Sequence, residues 1–229
     1  MIKKWCKILF NILYTLYVWS HHGVISSKSF YFRFRISITK GSLIRVIGSK
    51  IYNTWILVNG INNEIIFTKA FIENCQISII GKNNKIIIKN GVKLRRAIIN
   101  LRGSNCNIII GEKTTFGQVR IVNVGKNNDI TIGEGCLFAD NIEIWASDTH
   151  SIYDKGGNFI NPEKPINIGD KVWIGSYVKI LKGVTIGSNA IVGMNSLVTK
   201  NIENGTLCAG NPLRVIKNDV SWSLDYQIE

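Results

Sequence analysis

Apolar residues recur every six positions through the second half of the chain, and no other feature restricts its fold as tightly. Ile168, Ile174, Ile180, Ile186, Val192 and Val198 are spaced by six without a break. Gly169, Gly175, Gly187 and Gly193 each follow one of them directly. An amphipathic helix would place apolar residues three and four apart. Period six beside a small residue suits short strands joined by tight corners, and a fixed period over many units marks a solenoid. A single coil cannot bury its own apolar side, so the coils must stack. Ile132, Phe138 and Ile144 fall on the same grid. Between them and Ile168 the pattern lapses: residues 145–167 read WASDTHSIYDKGGNFINPEKPIN. The grid then resumes in register, which predicts a loop leaving the wall of a regular scaffold, where function often resides.

Upstream the period lengthens. GINNEIIF starts at Gly60, GKNNKIII at Gly81, GSNCNIII at Gly103 and GKNNDITI at Gly125, at intervals of 21, 22 and 22 residues. These read as looser coils with extra residues at one corner. Asn tolerates the left-handed backbone of such turns, and stacked Asn side chains can form a ladder. Residues 20–57 read as the first strands, in a less defined register. Ile, Asn, Gly and Lys dominate the composition, which favours strand over helix. The expected fold class is therefore all-β, a parallel β-solenoid, with a short helical segment at residues 1–20, a body at 21–217 and a tail at 218–229.

The formal net charge is +13. A basic surface attracts nucleic acid, anionic membrane or small phosphorylated and carboxylated ligands. No aromatic-basic RNA motif, zinc finger or basic helix is present, so nucleic acid is not an expected partner. Cys6, Cys75, Cys106, Cys136 and Cys208 lie far apart, with no CxxC. An odd, scattered set argues for reduced thiols and a cytoplasmic setting. Three histidines, two of them adjacent at His21 and His22, supply no metal cluster. Ile8 to Trp19 is an apolar run behind Lys3, Lys4 and Lys7. It falls short of the roughly 20 residues that cross a bilayer. Two readings stand: a helix packed on the body, or an interfacial helix at the inner face of the membrane with Trp5 and Trp19 at the headgroups.

The order of motifs in the second half resembles the hexapeptide-repeat acyltransferases. DTHSIYD at 148–154 is followed by PINIGDKVWIGSYVKILKGVTIG at 165–187 and SLVTKNIENGTLCAGNPLRVIK at 196–217. That family includes galactoside, maltose and serine acetyltransferases and many capsule and O-antigen O-acetyltransferases. The resemblance covers roughly residues 125–217. It implies a left-handed β-helix and a homotrimer with acetyl-CoA held between neighbouring subunits, with no metal. Periodicity alone gives neither handedness nor trimer.

His150 is the expected catalytic base. A sugar hydroxyl is a poor nucleophile while protonated, and imidazole as a side-chain type titrates near neutrality. His150 is the one histidine beyond the amino-terminal segment and lies in the interrupting loop, comparable to the family's catalytic loop. Asp148, two residues earlier, either orients the imidazole or is an ordinary loop carboxylate. Trp173 should point outward, as a platform for CoA or acceptor or as an interface residue. By resemblance, Ser176, Met194, Thr199 and Lys200 match CoA-contact positions. Arg214 and Lys217 match the basic residues of the family's closing segment, and suit phosphates. Met194 and Leu213 depart from the small residues usual there. Cys136 shares a core slot with Val92 and Thr114, so it is not expected to be a nucleophile. Trp173, Tyr177 and Val178 are expected to leave an apolar outer face that favours trimerisation.

The leading function is O-acetylation of a sugar hydroxyl on a capsule or O-antigen glycan by direct transfer. The alternatives are N-acetylation of a nucleotide-linked amino sugar and a non-catalytic binding solenoid. The broken register, the lone histidine and the RVIK ending speak against the last.

Overall fold

The computed structural model describes residues 23–225; the proposed amino-terminal helix at 1–20 lies outside them. The described residues form a parallel β-solenoid with three flat faces and no α-helix. The chain visits the faces in strict rotation. Val24–Ser27 lies on the first, Phe30–Phe32 on the second and Arg35–Ile38 on the third, before Leu43–Ile47 returns to the first. Each return pairs parallel with the coil before it, as Val24 does with Ile44 and Ile44 with Ile65.

The period of six follows from this geometry. Successive side chains of a strand point to opposite sides, so each short strand turns one or two residues inward. On the first face Ile44, Ile65, Ile86, Ile108, Ile130 and Ile166 form one buried column. On the second face Phe116 and Phe138 stack with ring centroids 4.5 Å apart. All six residues of the original grid are buried. Val178 is buried as well, contrary to its expected place on the outer face. It stands two residues before Ile180 and so shares its side of the strand.

The glycines of the upstream repeats sit where the third face turns into the first. A Cβ on Gly60 would lie 1.8 Å from the carbonyl oxygen of Gly81, and one on Gly81 would lie 1.9 Å from that of Gly103. Only glycine fits so close an approach between coils. The Asn pairs form two ladders. The outer one runs Asn62, Asn83, Asn105 and Asn127, each donating Nδ2 to the next Oδ1. The inner one is buried: Asn84 donates Nδ2 to Asn63 Oδ1 at 3.1 Å and to Gly103 O at 2.9 Å, and accepts from Cys106 N at 3.1 Å. These bonds satisfy corner amides that the parallel sheets leave over.

The inner ladder ends at Asn128, where the loop leaves. Asn128 Nδ2 reaches Asn123 Oδ1 and Ala146 O, and its Oδ1 has no partner. In register the next rung is Lys164, two residues before Ile166, but Lys164 N donates instead to Ala146 O at 3.2 Å. That bond closes the base of the excursion, which spans residues 146–165 between the strands Ile142–Trp145 and Ile166–Ile168. Beyond the base the loop is a small hairpin, with Ile160 N donating to Ile152 O and Tyr153 bridging Phe159. At the other end of the solenoid Arg214–Lys217 turns antiparallel along Leu207–Ala209. The chain then returns over the second face, where Trp222 Nε1 donates to Lys171 O.

Candidate active site

His150 lines a cleft of about 380 Å³ on the outer side of the third face. Its walls include Asn100, Arg102, Arg120, Trp145 and Thr149. Trp145 is the last strand residue before the excursion, and the Arg120 guanidinium lies 5.4 Å from its ring centre. Trp145 Nε1 donates to Glu143 Oε2 at 2.8 Å, which fixes the indole. The cleft therefore offers an imidazole, two guanidinium groups, an amide and an aromatic plane.

The backbone at the loop's start is strained. Thr149 has φ +64°, and among the described residues it is the one β-branched residue with positive φ. Such a conformation costs about 1–3 kcal/mol and persists where the surroundings impose it. Here Ser147 Oγ accepts from Thr149 N at 3.0 Å. The strain falls on the residue that aims His150. Sequence reasoning missed it, because a threonine carries no mark of its own dihedral.

Asp148 does not bond the imidazole. Its Oδ2 accepts from Lys182 Nζ at 2.5 Å and from Asn161 Nδ2 at 2.7 Å. Asn161 Nδ2 also donates to His150 O at 2.9 Å. The carboxylate thus ties the loop's start to its end and to the next coil. The Lys182 hydrogen bond and charge, with help from Asn161, hold the Asp148 carboxyl below the usual carboxylate range. Lys182 and Asn161 are site residues that the sequence did not disclose, since they lie 34 and 13 positions from Asp148.

The remaining expected residues are spread around the solenoid. Trp173 points outward on the second face, as expected, and its ring centre lies 6.0 Å from that of Trp222. Ser176 and Met194 occupy the corner between the second and third faces on adjacent coils, joined by Asn195 N to Ser176 O at 2.9 Å. Thr199 and Lys200 are exposed at the corner between the third and first faces, one coil beyond Lys182. Arg214 and Lys217 are exposed on the terminal antiparallel strand. Within one chain, then, His150 and Trp173 lie over different faces.

Among the described residues the cysteines are buried and unpaired. Burial pushes the Cys75 and Cys136 thiols up to about 11, which leaves them protonated and poor nucleophiles. No group of three or more metal-binding side chains occurs among the described residues. No described helix is long and apolar enough to cross a membrane.

A coil built on six-residue steps, broken once by a histidine-bearing loop, defines the class: the chain belongs to the hexapeptide-repeat acetyltransferases, whose fold is the left-handed parallel β-helix. The family model for bacterial transferase hexapeptides (six repeats) matches residues 165–200. Among individual proteins, the chain is 35% identical over 147 residues to a polysialic acid O-acetyltransferase of Neisseria meningitidis, covering 54% of this chain and 68% of that protein. It is 37% identical over 137 residues to a polysialic acid O-acetyltransferase of Escherichia coli O1:K1, covering 59% of this chain and 44% of that protein. The second of these relatives is thus spanned for less than half its length. Among solved structures, the polysialic-acid-specific acetyltransferase NeuO superposes with a TM-score of 0.69 at 29% identity, covering 90% of this chain and 91% of that one.

Proposed function

We propose that the chain is an acetyl-CoA-dependent O-acetyltransferase that modifies a sugar hydroxyl of a bacterial surface glycan, with His150 as general base. The observation that carries this reading is the cleft: the one histidine of the described residues sits above an aromatic and arginine-lined groove, on a loop strained and tied into position. Relatives named for O-acetylation of polysialic acid support the acceptor class.

His150 takes the acceptor's hydroxyl proton as that oxygen attacks the thioester carbonyl. A backbone amide at the coil edge stabilises the oxyanion. The imidazolium then returns the proton to the departing sulfur. Asp148, Asn161 and Lys182 hold the loop so that the ring keeps its place. The exposed Lys200, Arg214 and Lys217 have the chemistry to meet the phosphates of CoA, and Trp173 to meet an aromatic or sugar ring.

The active assembly is a homotrimer in this reading. His150 and Trp173 lie on different faces of one chain, and a site shared between subunits would unite them. Ile152, Tyr153, Phe159 and Ile160 on the loop are exposed and apolar, which suits contact with a neighbour. The test is His150→Ala. Turnover, followed as CoA release with polysialic acid and neutral oligosaccharides as acceptors, should fall about a hundredfold or more. CoA affinity by calorimetry should stay nearly unchanged. Near-normal turnover in a folded variant would exclude His150 as the base.

A further inference from the structure

We propose that the outer surface from the His150 cleft to the first coil is a track for a linear, carboxylated glycan, with a distal subsite at Arg33, Arg35 and Trp55. This deepens the acetyltransferase reading and rests on it only for the reacting end of the acceptor. Arg35, Trp55, Gln76, Ile98 and Arg120 stand in one register column on the third face, one from each successive coil. Neighbouring strands lie about 4.8 Å apart, so Arg35 and Arg120 are separated by roughly 19 Å. Arg120 lines the His150 cleft at one end of the column. At the other end a cleft of about 760 Å³ opens between Arg33, Arg35, Trp55 and Gln76, with Asn53 and Asn74 at its corner.

The charges on this surface are unusual for a merely solvated face. Elsewhere, Arg45 on the first face, Arg95 on the second and Arg96 at the corner after it each face a carboxylate, at Glu64, Glu73 and Asp140. Arg33, Arg35, Arg102 and Arg120 form no ion pair among the described residues, and all four line the two clefts. The column's one carboxylate, Glu143, follows Arg120 and is bonded to Trp145. Guanidinium groups grip carboxylates through paired hydrogen bonds. Trp55, 44% exposed, offers its plane to the apolar face of a sugar ring. Ser78, Asn100 and Gln76 can bond hydroxyls between them. Only a ligand longer than the gap engages both clefts at once, and the second contact is then intramolecular, which raises avidity without new chemistry.

Calorimetry on the full chain tests this with four probes: polysialic acid, its disaccharide, the polymer with its carboxyls reduced, and duplex DNA. The polymer should bind at least about tenfold tighter than the disaccharide, as two-point attachment requires. The reduced polymer and the DNA should lack that advantage. The double variant Arg33→Glu, Arg35→Glu should remove the advantage while leaving disaccharide affinity, melting temperature and oligomeric state unchanged. Trp55→Ala, which alters no charge, should weaken the polymer alone. Equal affinity for polymer and disaccharide, no binding of the polymer, full retention by both variants, or DNA binding lost in parallel with the polymer would each overturn the track. So would a change of oligomeric state in the variants, which would make the surface a subunit contact. If the polymer advantage depends on Arg33 and Arg35 yet no acceptor releases CoA, the track stands and the acetyltransferase reading falls.

Discussion

The two asparagines of each GxNN repeat should differ sharply in what they contribute, and Asn83 and Asn84 allow the comparison side by side. Asn84→Ala removes donors to Gly103 O and Asn63 Oδ1 and the acceptor of Cys106 N. Cys106 N–H is then buried with no side-chain acceptor, a loss of about 1–3 kcal/mol, and the two other bonds add about 1 kcal/mol each. The expected destabilisation is about 3–5 kcal/mol. Asn83 is exposed, its ladder bonds are 3.4 and 3.1 Å long, and its φ is +55°. Asn83→Gly keeps that backbone open and should cost less than about 1 kcal/mol, whereas Asn83→Ala should add about 1–2 kcal/mol of left-handed strain. Urea unfolding followed by circular dichroism, at one fixed protein concentration, measures all three. If Asn84→Ala stays within about 1 kcal/mol of the parent, or Asn83→Gly costs as much as Asn84→Ala, the buried ladder is not what secures the corner.

Asp148 should give the loop an acid-side dependence. Its folded pKa is lowered, so the pair with Lys182 contributes above the carboxylate's unfolded value and is lost as pH falls through the folded one. Limited proteolysis should cut the 146–165 loop faster only below the ordinary carboxylate range, and Asp148→Asn should be cut faster at neutral pH too. Cys136→Ala should leave turnover within about twofold of the parent, because a thiol held near 11 is not a nucleophile at neutral pH; a loss like that of His150→Ala would point to an acetyl-enzyme instead. Light scattering at micromolar concentration should give a trimer, and an active monomer would refute the shared site.

Much of the scaffold was legible from β-branched residues alone. Ile168 through Val198 marked inward positions because an outward slot has no need of a repeated isoleucine. Val178 is inward by the same rule, although it lies off the six-residue grid. Val172 with Ile174 and Val178 with Ile180 are inward pairs, each made of a strand residue and the one two before it, and a grid of one residue per strand sees half of them. The Asn ladders were readable because Asn is common where left-handed corners repeat. The loop's position was legible from the missing grid, but its internal ties were not. Lys182 meets Asp148 only once the length of the intervening turn is fixed. The arginine column was hidden for a similar reason: Arg35, Trp55, Gln76, Ile98 and Arg120 lie 20 to 22 residues apart, and unequal coils keep them from showing as a period.

The base of the excursion has a consequence for how such chains diversify. Lys164 N meets Ala146 O across one hydrogen bond, and Ile130 pairs with Ile166 one coil on, as though residues 146–165 were absent. The coils above and below therefore do not register how long that segment is. Each doubling of a flexible loop's length costs only about 0.6 kcal/mol of closure entropy. A lineage can exchange the whole segment for another without disturbing a single inward isoleucine, and a protein engineer can do the same. The solenoid behaves as a socket, and the chemistry is what is plugged into it.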